Sequence, residues 1–211
     1  MEPTSATVLI LSTATIAFVH ALAPDHWIPF VSIARAQGWS NIKLVSVTLV
    51  SGIGHVGSSL AIGALGLFFG YQLTALEAFE TQRAEVAGLL LIGFGLAYAL
   101  WGIRYAREHS HVAVDPRKQV TIWALFAIFV LGPCEPLIPL LFVAAAESWT
   151  AVALVSIVFG LITLVMMVGL VLLAQHGAGF LRVLKINHHH GHTIAGAVIA
   201  FSGALVMLLG I

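Results

Sequence analysis

Three histidines and two acids of this chain stand where hydrocarbon-facing residues are expected, and together they could hold a metal ion. His20, Asp25 and His26 fall in HALAPDHWIPF (20–30), inside an apolar run long enough to cross a bilayer. Ionisable residues at membrane depth are costly and mark ion or substrate pathways more often than packing. Residues 130–140, VLGPCEPLIPL, repeat the pattern, with Glu135 between prolines and Cys134 beside it. Asp25 and Glu135 are the only two acids expected deep in the bilayer. His55 lies in SGIGHVGSS, among small residues that let helices approach closely. Imidazole suits nickel, cobalt, zinc and copper, whereas hard ions such as magnesium prefer all-oxygen sites. His20, Asp25, His26, His55 and Glu135 therefore point to a divalent transition metal. Cys134 could add a thiolate, although a buried lone cysteine commonly serves as a small apolar residue.

The prolines matter to this chemistry. In an unbroken helix, at about 100° per residue, His20 and Asp25 would point about 140° apart and could not grip one ion. Pro24 has no N–H, which frees the carbonyl of His20 from its helical partner, and Pro29 does the same for Asp25. Pro136 and Pro139 free Gly132 and Glu135 in the second segment. Both segments are expected to kink or unwind beside their acid. Freed backbone is tolerated in a membrane only where protein buries it or it lines a cavity. A second histidine population lies outside the apolar runs: His109 and His111 in EHSH, and His188, His189, His190 and His192 in NHHHGH. Short histidine-rich tracts bind metal, so these are candidates for metal capture.

The elements that must carry these groups follow from composition. Hydrophobic residues make up 60% of the 211 and charged residues only 9%. Soluble domains carry about 25% charged residues, so this chain cannot cover a water-facing surface. It is expected to be a polytopic, all-α membrane protein, a single integral domain over 1–211 with the lipid bilayer as its solvent. The net charge of zero argues against nucleic acid as a partner. A single cysteine excludes an internal disulfide. The first apolar run lacks a positively charged start and carries the motif, so it is not expected to be a cleaved signal. Six transmembrane helices are expected at about 6–33, 43–70, 86–105, 120–146, 150–175 and 193–211, helical because a span must satisfy its own backbone. Eight of the nine basic residues fall in the loops after spans one, three and five, while Arg83 lies with Glu77, Glu80 and Glu85 in the loop after span two. The positive-inside rule then puts both termini outside the cytoplasmic membrane. Trp27, Trp39, Trp101, Trp123 and Trp149 are expected near span ends as interface anchors.

A shift of 110 residues lays Asp25 on Glu135, Ile28 on Ile138 and Pro29 on Pro139. A shift of 108 lays 87–103 on 195–211 and matches Ala87, Gly88, Gly95, Gly102 and Ile103 with their own kind. Two repeats, about 1–110 and 111–211, are thus expected, and a three-span repeat inverts in the membrane. Inverted repeats with broken helices, here helices 1 and 4, are the layout of many secondary transporters.

The pattern His-x4-Asp-His at His20, Asp25 and His26 resembles the signature of the nickel/cobalt transporter families, the NiCoT permeases and NicO-type exporters. GIGHVGSS around His55 is similar to their glycine- and serine-flanked histidine motif. The resemblance covers the first two spans and implies transport of Ni²⁺ or Co²⁺ with those four residues as ligands or selectivity residues. LGPCEP departs from the pattern and instead resembles the UreH-like branch and, more distantly, the CcdA/DsbD thiol carriers of the LysE/DsbD type. A secondary metal transporter, not an enzyme, is the leading expectation, with its direction open and efflux favoured. The alternatives are a transmembrane thiol carrier, which needs two cysteines, and a small-anion exporter of the sulfite type, which two midplane carboxylates disfavour. A metallochaperone and a second copy of the chain are the protein partners such a role admits.

Overall fold

The computed structural model of the protein describes residues 3–107, 117–177 and 190–209. Among these residues there is no strand, and the helices are α1 (Pro3–Ala21), α2 (Ile28–Gln37), α3 (Asn41–Phe69), α4 (Leu73–Arg107), α5 (Arg117–Leu131), α6 (Leu137–Glu147), α7 (Trp149–Gly177) and α8 (Gly191–Leu209). A 3₁₀ turn, Pro24–His26, stands between α1 and α2. Helices α3, α4, α7 and α8 are long and apolar enough to cross a membrane. The α1–α2 pair passes the same test as one segment bent by 74° at its break. Residues 120–146, expected as one span, form the shorter apolar helices α5 and α6 on either side of a break at 132–136.

Tight turns join these elements. Gly38 and Gly70 end α2 and α3 in the left-handed region, at φ 64° and 66°, where a Cβ would be strained. The Trp39 N–H closes the first turn on Ala34 O at 2.8 Å, and the Tyr71 N–H closes the second on Gly66 O at 2.9 Å. Ser40 caps α3 by accepting from the Lys43 N–H, satisfying one of the orphan donors of a helix start.

Helix α1 packs on α7, α5 on α3, and α4 along α8. The α4–α8 contact is close. A Cβ on Gly95 would land on the Ala200 and Gly196 backbone, and one on Gly196 would land on Ala99 and Gly95. Gly196→Leu is therefore expected to destabilise the bundle by about 3 kcal/mol, the upper range for overpacking, read as a lower midpoint of thermal unfolding in detergent. The buried core gathers Phe30, Ile33, Leu44, Leu125, Met167 and Ile199 in one cluster, and Cys134, Leu137, Leu141, Val155 and Phe159 in another. Phe68, Val165, Leu173, Phe201 and Leu208 point outward. Large apolar side chains on the outside as well as the inside are compatible with a multi-pass membrane protein.

Two expectations are corrected. Glu77, Glu80, Arg83 and Glu85 do not form a loop, because α4 begins at Leu73 and only residues 70–72 separate it from α3. The segment stays helical since Glu80 and Arg83, three residues apart, pair with each other inside the bundle. At 35 residues, α4 is about 52 Å long at 1.5 Å per residue. Trp39 is no interface anchor either: it is 7% exposed, its indole N–H donates to Gln37 at 3.0 Å, and the Lys43 ammonium lies over its ring. Trp123 and Trp149 are exposed as such anchors would be.

Candidate metal centre

The first break gathers side chains that a straight helix would scatter. Helix α1 ends at Ala21, one residue after His20. Pro24 supplies no N–H to the His20 carbonyl, and the Ala23 N–H takes that carbonyl at 3.1 Å instead. The chain then turns through Pro24–His26 and leaves as α2. His26 swings back until its ring lies 4.5 Å from that of His20, edge to face. His55, from the middle of α3, comes up on the other side, its ring 4.9 Å from His26.

The three Nε2 atoms converge. His26 Nε2 lies 3.1 Å from His20 Nε2 and 3.2 Å from His55 Nε2. Two nitrogens at about 2.0–2.1 Å from one tetrahedral metal stand about 3.3 Å apart. His55 Nδ1 donates to the Phe129 carbonyl at 3.1 Å, and His26 Nδ1 donates to the Asp25 carboxylate at 2.9 Å. A neutral ring carries a single N–H, so His26 and His55 turn lone pairs, not protons, toward each other. Two buried acceptors face to face are suited to holding a cation, a metal ion or a proton, between them. His26 and His55 are 2% and 3% exposed. Asp25 thus sits behind His26 rather than against the convergence point, orienting the ring and fixing its tautomer as an outer-shell partner does.

The second break holds the first in place. Pro133 deprives the Phe129 carbonyl of its helical N–H donor, and the vacancy is filled by His55 together with the Gly132 N–H at 3.1 Å. The Gly132 carbonyl, freed by Pro136, accepts from Arg83 Nη2 at 3.2 Å, and the Val130 carbonyl accepts from the same nitrogen at 3.0 Å. The Cys134 N–H, which would have served Val130 in a helix, donates to Ser59 at 2.9 Å. Ser59 in turn donates to Glu80, the carboxylate paired with Arg83. Glu80 is 1% exposed, so Asp25 and Glu135 are not the only acids enclosed by the bundle. Sequence reasoning missed this pair, although an arginine three residues from a glutamate is its signal, as is a proline four residues after the Phe129 and Gly132 carbonyls.

Asp25, His20, His26 and His55 open onto a cavity of about 590 Å³ that Glu135 also lines, with Gly88 of α4 and Gly203 of α8 in its wall. Glu135 is half-buried on this wall, outside the group of converging ligand atoms. Cys134 is fully buried beside His20 and His55, the three offering ligand atoms within 4.8 Å of one another. Of the outer histidines, His109, His111, His188 and His189 lie outside the described residues. His190 is exposed before α8. His192 is half-buried: its Nδ1 lies 2.7 Å from the Tyr98 hydroxyl, and its ring meets those of Trp101 and Tyr105 edge to face.

The class defined here is a helical bundle, compatible with a multi-pass membrane protein, with three imidazoles meeting at a broken helix. No family model, curated protein or solved structure matches this chain.

Proposed function

We propose that the protein is a secondary transporter of divalent transition-metal cations of the nickel/cobalt class in the cytoplasmic membrane, as its resemblance to the NiCoT and NicO families implies. The observation that carries this reading is the approach of His26 Nε2 to 3.1 Å from His20 Nε2 and 3.2 Å from His55 Nε2, with the Nδ1 atoms of His26 and His55 bonded elsewhere. The ion leaves its hydration shell in the cavity, where Asp25 and Glu135 attract it, and is taken by His20, His26 and His55. Ligands must be free of protons to bind it, so binding is opposed by acid and releases protons.

The architecture proposed is six spans in two inverted repeats, with α1–α2 and α5–α6 as the broken spans and basic loops facing the cytoplasm. Packing supports it. Exchange of the halves turns the α1–α7 contact into the α5–α3 contact, and both are present. The same exchange relates the close approach of Gly95 and Gly196 to that of Gly88 and Gly203. Rocking of one repeat on the other would expose the cavity to either side. Proteoliposomes with a metal-sensitive dye inside test the function. Protein-dependent entry of Co²⁺ or Ni²⁺ but not Mg²⁺ is expected; entry no faster than in protein-free vesicles for every ion would refute it. Cellular metal content with and without the protein then gives the direction, depletion meaning efflux.

A further inference from the structure

Three nitrogens leave a tetrahedral ion one ligand short, and the second break brings a sulfur within ligand range of His20 and His55. We infer that Cys134 is the fourth ligand, so that the centre is a tetrahedral site of three imidazoles and one thiolate, which within the proposed class of transition-metal ions favours Co²⁺ and Zn²⁺ over Ni²⁺. The inference rests on the histidine cluster being a metal centre and adds to it the identity of the ion. Cys134 Sγ, His20 and His55 already bring their ligand atoms within 4.8 Å of one another. In a zinc site with Zn–S at about 2.3 Å and Zn–N at about 2.0–2.1 Å, sulfur and nitrogen stand about 3.6 Å apart. The sulfur must close by no more than about 1.2 Å on His20 and His55 and must also reach His26, and the cysteine backbone is held beside them. Its N–H is bonded to Ser59 at 2.9 Å and its carbonyl accepts from the Leu137 N–H at 2.9 Å. The sign of a cation here is the convergence itself: His26, 2% exposed, holds its Nε2 3.1 Å and 3.2 Å from the Nε2 atoms of His20 and His55.

Charge favours the same answer. A divalent ion on three neutral imidazoles would leave two positive charges in the bundle. When the ion displaces the thiol proton, the S–H bond gives way to a metal–sulfur bond and the proton leaves to water. One positive charge remains, and the Asp25 carboxylate, 2.9 Å from His26 Nδ1, neutralises it. A neutral cargo is the least costly one to hold inside a membrane protein. Thiolate with imidazole in tetrahedral geometry suits zinc, whereas Ni²⁺ prefers square-planar or octahedral nitrogen and oxygen sites.

Titration of the purified protein in detergent with Co²⁺, an optical stand-in for Zn²⁺, tests this. A sulfur-to-cobalt charge-transfer band with strong tetrahedral ligand-field absorption is expected, together with displacement by Zn²⁺ at lower concentration than by Ni²⁺. Cys134→Ser should remove the charge-transfer band and weaken Co²⁺ binding about tenfold or more, a loss no smaller than that of an outer-shell partner. The wild-type spectrum decides the matter even if that variant does not fold. Co²⁺ bound in a manner lost with His26→Ala, but with no charge-transfer band, would overturn the cysteine ligand and leave the histidine centre standing. No Co²⁺ bound at all would overturn both.

Discussion

His26→Ala is expected to abolish metal transport and to weaken Co²⁺ binding by about a hundredfold or more, since even outer-shell partners of metal ligands are worth about 10–100-fold in affinity. His26 is the hinge of the centre: its Nε2 is the atom that meets both His20 and His55. Without it the remaining imidazoles stand with ring centres 6.0 Å apart, and the ion loses one of its three nitrogens. Asp25→Asn should be milder, within about tenfold, the lower end of the outer-shell range. The asparagine carbonyl can still accept from His26 Nδ1, while the negative charge is lost. Equilibrium dialysis of the purified variants measures both, with elution as a single species in detergent as the check on folding. The order wild type, Asp25→Asn, His26→Ala identifies His26 as a ligand and Asp25 as its positioning group. The reverse order would make Asp25 the ligand.

Arg83→Met is expected to have the largest effect on stability, about 3–5 kcal/mol, the cost of leaving one member of a buried ion pair without its partner. The Glu80 carboxylate would remain buried, bonded to Ser59 alone. The Val130 and Gly132 carbonyls would lose the guanidinium that satisfies them, and the second break would loosen. The paired change Glu80→Gln with Arg83→Met should recover much of the loss, because no charge is then stranded. Thermal unfolding in detergent measures this. Equal midpoints for the single and double variants would show that the arginine acts through the carbonyls alone. A midpoint of Arg83→Met equal to wild type would show that the Glu80–Arg83 pair does not hold the second break.

How much of this was legible beforehand divides along physical lines. The helical class and the break at Pro24 were legible, since apolar composition and a missing N–H act locally. The convergence of His20 with His26 followed from that break. His55 could be named from its glycine- and serine-rich surroundings, but its tautomer could not, because the Phe129 carbonyl that sets it lies 74 residues away. Asp25 was read as a ligand by charge, and geometry makes it the partner of His26 Nδ1. The continuous α4 was illegible for a similar reason. Four charged residues in a short stretch look like a loop until it is known that two of them are neutralised against α3 and the second break. Those contacts are long-range, and no local pattern announces them.

The central claim is that one ion sits among the three Nε2 atoms, and anomalous scattering from Co²⁺-loaded protein tests it most directly. The account predicts a single strong peak about 2.0–2.1 Å from the Nε2 atoms of His20, His26 and His55. A peak confined to the histidines at 188–192, or none within the bundle, would contradict it.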